Sequence, residues 1–161
     1  MNLTFTVQIK IQKPVNEVFD AIYNPNKISQ YFISGGASGP LDAGKTINWK
    51  FNDHGNTVDV PVKVIKLIPN ELIIFNWAAS EGEYDAKTGQ TPTSANYDNT
   101  VEMSFEAMNS NETLLKIKEG QWRSSEDGLR SSYQNCQGWT HMACCLKAYI
   151  EHGINLRKGS V

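Results

Sequence analysis

The sequence predicts an α+β domain in which a curved antiparallel sheet grips one long helix. Three observations carry this. Six runs have a hydrophobic period of two, most reversals between them are too short for crossover connections, and the C-terminal stretch has a helical period sustained over many turns. With 161 residues, 40% of them hydrophobic, the chain holds one domain, residues 1–161, and one core.

The first strand runs from Leu3 to Gln12: Leu3, Phe5, Val7, Ile9 and Ile11 share one side and Thr4, Thr6, Gln8, Lys10 and Gln12 the other. Pro14 then opens a helix whose Val15, Val18, Phe19 and Ile22 recur at helical spacing until Asn24 and Pro25 stop it. A second short helix is expected from Asn26 to Tyr31. Beyond the turn-rich Ser34 to Gly39, further strands are expected over Thr46 to Phe51, Thr57 to Ile68, Glu71 to Trp77, Asn99 to Ala107 and Thr113 to Glu119. Gly, Pro, Asp and Asn at 52–56, 69–70 and 109–111 supply reversals. From Ser131 to Arg157, residues Cys136, Trp139, Met142, Ala143, Leu146, Tyr149, Ile150 and Ile154 make the apolar stripe of a helix on the order of 40 Å long. The concave face of the sheet is the surface that could cover that stripe.

Composition excludes several functions. Fifteen Lys plus Arg against seventeen Asp plus Glu give a net charge of -2, with no basic block for a nucleic-acid backbone. No apolar run is long enough for a membrane span, and the alternating start is unlike a signal peptide, so a soluble, cytoplasmic protein without integral membrane association is expected. Cys136, Cys144 and Cys145 are odd in number and lack CxxC spacing, which suits core thiols better than disulfides or zinc, with a redox-sensitive thiol left open.

Three stretches resemble a known superfamily. Pro14-Val15-Asn16-Glu17-Val18-Phe19 is similar to the entry into the first helix of START-like, helix-grip proteins, the SRPBCC superfamily. Gly138-Trp139 with Leu146-Lys147, Tyr149-Ile150-Glu151 and Gly153 resembles the closing helix of the activator of heat-shock-protein-90 ATPase homologue family within it. The run from Pro69 to Trp77 resembles that family's central strand. The resemblance implies a helix-grip (START/Bet v 1-like) fold with about six or seven strands, two short helices after the first strand, and a hydrophobic cavity between sheet and long helix. It also implies a small apolar ligand such as a lipid or polyketide. A chaperone partner comes only from the family name, and fold alone does not carry function.

The chemistry read from the residues is sparse. His54, His141 and His152 are scattered, and no HExxH, GxSxG or phosphate-cradling glycine loop occurs, so no metal, cofactor or catalytic residue is assigned. Glu102 and Glu106 alternate with apolar neighbours and should face outward. Glu119 continues the side of Leu115 and Ile117, so it either points inward as a polar anchor for a ligand hydroxyl or amine, or the strand ends before it and it is wet or salt-bridged. Trp49, Phe75, Trp77, Met103, Phe105, Trp139 and Met142 fall on faces that should meet between sheet and helix, as pocket lining or as packed core. The turn at His54, the long connection from Ala78 to Asp98 and the segment from Gly120 to Leu129 should cluster beside the helix start. Tyr84 and Tyr97 in that connection would be a lid or part of a disordered segment. Trp122 is either a gate or a plug, and Arg123 either pairs a ligand acid group or is solvated. Ligand binding is therefore expected first. The alternatives are a cyclase, hydrolase or isomerase using Glu119 or a tyrosine for proton transfer, and an interaction module in stress response or chaperone assistance.

Overall fold

The computed structural model describes residues 2–88 and 92–161, residue 54 by its backbone alone. In chain order the elements are β1 (Leu3–Ile11), α1 (Val15–Tyr23), α2 (Pro25–Ile28), β2 (Thr46–Phe51), β3 (Val58–Ile68), β4 (Leu72–Glu81), β5 (Thr93–Asn109), β6 (Glu112–Trp122) and α3 (Glu126–His152). The strands form one antiparallel sheet in the order β1-β6-β5-β4-β3-β2. β2 to β6 are a meander, and β1 joins it beside β6. The α+β helix-grip architecture expected from the sequence is the one observed, with six strands.

Local chemistry sets the element ends. α1 begins after Pro14, whose backbone carbonyl accepts from Glu17 and Val18. α2 starts one residue before the expected Asn26, because the Asn24 side chain caps it and Pro25 occupies its first turn. The β3–β4 reversal places Asn70 at φ 63, a left-handed conformation that asparagine tolerates better than most residues.

α3 begins before the expected Ser131. Ser125 Oγ accepts from the Gly128 backbone N–H at 3.1 Å, and Glu126 and Asp127 complement the positive end of the helix. It also stops before the expected Arg157. Gly153 at φ 67 turns the chain, and its N–H and that of Ile154 return to the carbonyls of Tyr149 and Ala148. Residues 153–161 then run back along the helix. Ser160 Oγ lies 3.0 Å from His141 Nε2, and Arg157 pairs with Asp53 at 2.6 Å. The Arg157 guanidinium also sits over the rings of Phe32 and Phe51.

The connection expected from Ala78 to Asp98 is largely strand. β4 continues to Glu81 and β5 starts at Thr93, joined in register by Ser80↔Ser94 and Glu81↔Thr93. Residues 89–91 of the expected lid lie outside the described residues. Tyr97 is thus a strand residue, with its hydroxyl donating to Glu81 at 2.8 Å. Polar side chains on both arms obscured the pairing.

The core lies between the concave face of the sheet, α1, α2 and α3. Ile11, Ile22, Ile33, Val62, Ile73, Leu115 and Leu146 are fully buried in it. α3 packs most extensively on β1, with Lys147 Nζ donating to the Lys10 carbonyl and Glu151 accepting from the Gln12 N–H. No helix among the described residues is long and apolar enough to cross a membrane.

Candidate functional site

β6 carries Leu115, Ile117 and Glu119 on its inner side, so the period of two brings a carboxylate into the apolar interior. Glu119 is 0% exposed. The strand continues past it, and among the described residues it has no ion pair, so the wet or salt-bridged alternative is overturned. Four side chains converge on it instead. Trp77 Nε1 donates to Oε1 at 2.8 Å and Trp139 Nε1 to Oε2 at 2.8 Å. Asn99 Nδ2 reaches Oε1 at 3.2 Å, and Asn135 Nδ2 lies 3.2 Å from both oxygens.

The register explains the convergence. Asn99 sits on β5 on the same inner side as Val101, whose partner is Glu119, and Trp77 is opposite Asn99 on β4. Asn135 and Trp139 are one helical turn apart on α3, on its sheet-facing side. Burial pushes the Glu119 carboxyl above its ordinary range, and the N–H donors of Trp77, Trp139, Asn135 and Asn99 pull it back only in part.

Apolar rings surround this carboxylate. Trp77 stacks on Trp139 with centroids 5.3 Å apart, Phe75 meets Trp77 at 5.6 Å, and Trp49 meets Phe75 at 5.4 Å. Phe32, which the sequence reading did not single out, joins Trp49 and Trp139. Its place between two short elements left no periodic signal. Phe105 lies elsewhere, edge-on to Phe19 of α1. Met103 and Met142 are fully buried. Two surface hollows, one of about 510 Å³ at Glu83–Lys87 and one of about 240 Å³ between Glu17, Ala21, Lys27, Tyr149 and Ile150, lie away from these rings.

At the strand's end the alternation breaks. Gln121 adopts φ 69 and is exposed, which turns Trp122 inward to 4% exposure. A strict period of two would have placed Gln121 inside. Arg123 is exposed, as its solvated alternative expected, and is also paired: it meets Glu81 at 3.7 Å, lies over the Tyr97 ring and hydrogen-bonds Asn96. The β4–β5 connection does reach the helix start, through Glu83 and Arg130. The β2–β3 turn is met instead by the C-terminal tail, through Asp53 and Arg157. The His54 side chain lies outside what the structure describes.

Four buried polar atoms have no protein partner among the described residues, Arg157 Nε and three others, one of them on Asn99, which donates to Glu119. The three others are Asn99 Oδ1, Trp122 Nε1 and Ser131 Oγ. Among the same residues, no three His, Cys, Asp or Glu side chains gather as a metal ion would require.

A model of the Activator of Hsp90 ATPase homolog 1-like protein family matches residues 12–151. The chain belongs to that family. It shares the family's placement in the SRPBCC, helix-grip superfamily. No curated protein matches the chain by sequence. Among solved structures, protein SSP2350 from Staphylococcus saprophyticus aligns with a TM-score of 0.74 and 22% identity, over 96% of both chains. The Aha1 dimer from Colwellia psychrerythraea aligns with a TM-score of 0.69 and 20% identity, over 94% of this chain and 98% of that one. DynU16, from the dynemicin biosynthetic locus, gives a TM-score of 0.73 and 19% identity over 94% of this chain and 48% of its own. At these identities the likeness shows the fold.

Proposed function

We propose that this protein binds a small hydrophobic or amphipathic molecule between the sheet and α3. Phe75, Trp77 and Trp139 form the apolar wall nearest the polar end, Trp49, Met103, Phe105 and Met142 extend it, and Glu119 and Trp122 belong to the polar end. The observation that carries this reading is Glu119, a carboxylate buried without a cation and held by four side chains. Burying a charge in that way costs several kcal/mol, on the order of what a packed apolar residue at the same position would avoid. Trp77 and Asn135 are only half-buried and form the route by which a ligand reaches the rings. Family membership supports the reading, and one structural neighbour is a protein of the dynemicin biosynthetic locus.

Thermal shift and native mass spectrometry against fatty acids, fatty alcohols and fused-ring phenols test it. At least one class should raise the Tm and form a one-to-one complex, and the complex should weaken in Trp77→Ala. Absence of any shift and any complex across the panel would sink the proposal. The raised pKa of Glu119 favours a second reading, a general acid or base acting on such a ligand. It requires turnover with a pH profile that disappears in Glu119→Gln.

A further inference from the structure

The carboxylate at the centre of the site has little room for a ligand. A carboxylate has about four lone-pair directions, and Glu119 Oε1 already accepts from Trp77, Asn99 and Asn135 while Oε2 accepts from Trp139 and Asn135. The free hydrogen-bonding capacity lies beside it. Asn99 is 0% exposed, Ser131 1% and Trp122 4%, and each has a polar atom without a partner among the described residues. Asn99 spends its amide N–H on Glu119, which leaves Oδ1 as an acceptor. Trp122 Nε1 can only donate, and Ser131 Oγ can do either.

The three belong to one level of the fold. Trp122 follows Glu119 on β6 by three residues, and Asn99 is held to Glu119 directly. On α3, Ser131 lies between Gly128, where a Cβ would fall 2.2 Å from the Arg123 carbonyl, and Asn135, which touches Glu119. Ser131 is therefore bracketed between the levels of Arg123 and Glu119, on the helix face that meets the sheet.

We infer that Asn99 Oδ1, Ser131 Oγ and Trp122 Nε1 form a subsite for a ligand hydroxyl, beside the Glu119 carboxylate that accepts from the Asn99 amide. The inference rests on the ligand-binding reading and adds the chemical class. A hydroxyl accepts from Trp122 Nε1 through its oxygen and donates its proton to Asn99 Oδ1, with Ser131 completing either role. An ether satisfies only the donor and a hydrocarbon neither.

Three probes of similar shape separate these cases: 1-naphthol, 1-methoxynaphthalene and naphthalene, titrated into the wild type, Ser131→Ala and Trp122→Phe. In the wild type 1-naphthol should bind about tenfold tighter than naphthalene, with the ether between them, as expected for a buried site whose polar groups the hydrocarbon leaves unpaired. That advantage should fall to about threefold or less in each variant, while naphthalene affinity holds in Ser131→Ala. Because Ser131→Ala removes a buried atom with no protein partner, its ligand-free Tm should be unchanged or higher. Equal binding of all three probes by the wild type, or an advantage that survives both variants, overturns the subsite and leaves ligand binding standing. A fall of several degrees in the ligand-free Tm of Ser131→Ala also overturns it, since Oγ would then have a structural partner. If none of the probes and none of the lipid panel binds, both readings fall together.

Discussion

Glu119→Gln changes the charge at the centre of the site while nearly keeping its shape. The carboxylate offers two accepting oxygens, whereas the amide offers one oxygen and an NH2 group. With its nitrogen at the Oε1 position, the amide opposes Trp77 Nε1 at 2.8 Å and Asn99 Nδ2 at 3.2 Å. At the Oε2 position it opposes Trp139 Nε1 at 2.8 Å. The second choice strands fewer partners, yet it leaves a buried indole N–H without an acceptor, which costs about 1–3 kcal/mol, and replaces charge-assisted bonds of about 1.5–3 kcal/mol with neutral ones. Relief from burying a charge offsets part of this. The expected net loss at pH 7 is about 2 kcal/mol, or about 4–8 °C in Tm for a domain of this size.

The pH dependence has a definite sign. Burial holds the folded-state pKa of Glu119 above its unfolded value, so the folded chain keeps a proton over a window in which the unfolded chain has released it. The stability from that difference is fully present below the unfolded pKa and is lost as pH rises through the folded one. Urea titrations from pH 4 to 8 should therefore show the wild-type advantage over Glu119→Gln largest at the acid end and declining toward neutrality. A glutamine variant as stable as the wild type at pH 7, or an advantage that grows with pH, would refute this account of the cage.

Other perturbations test the supports of the site. Gly128→Ala should destabilise by about 2 kcal/mol or more despite alanine's better helix propensity, because its Cβ would fall 2.2 Å from the Arg123 carbonyl oxygen; urea denaturation reads the sign. Native-state alkylation with iodoacetamide should modify exposed Cys144 first and spare Cys145, whose thiol is buried and pushed up by burial, until the chain unfolds; tandem mass spectrometry distinguishes the two positions. Arg157→Gln should raise the pKa of His141, which burial and then the Arg157 charge hold below the usual imidazole range; the ring-proton NMR titration would show no movement if the tail does not dock there.

Where the pattern was local, the sequence was enough. The alternation of Leu3, Phe5, Val7, Ile9 and Ile11 gives β1 nearly to the residue, while the same period in Leu115 and Ile117 allows an inward Glu119 that only the continuation of β6 past it decides. What escaped depended on partners distant in sequence or on a single backbone angle. Asn99 and Asn135 read as ordinary polar residues because their acceptor, Glu119, belongs to another strand. Trp122 could not be oriented without the left-handed Gln121 before it. The strand arms around the β4–β5 connection were hidden because Ser80, Glu81, Thr93 and Ser94 pair through their backbones with no apolar alternation to announce it.

The position of β1 at the edge of the sheet has a consequence for how the chain folds during synthesis. β2 to β6 pair each with a sequence neighbour, so that part can assemble in order as it emerges. β1 is made before the other five strands, yet its partner strand begins only at Glu112. Until then Leu3–Ile11 is an amphipathic strand with five apolar residues on one side and no mate. The nascent chain thus carries this amphipathic strand unpaired through the synthesis of β2 to β5, and α3, which covers β1 in the finished domain, is made after all six strands.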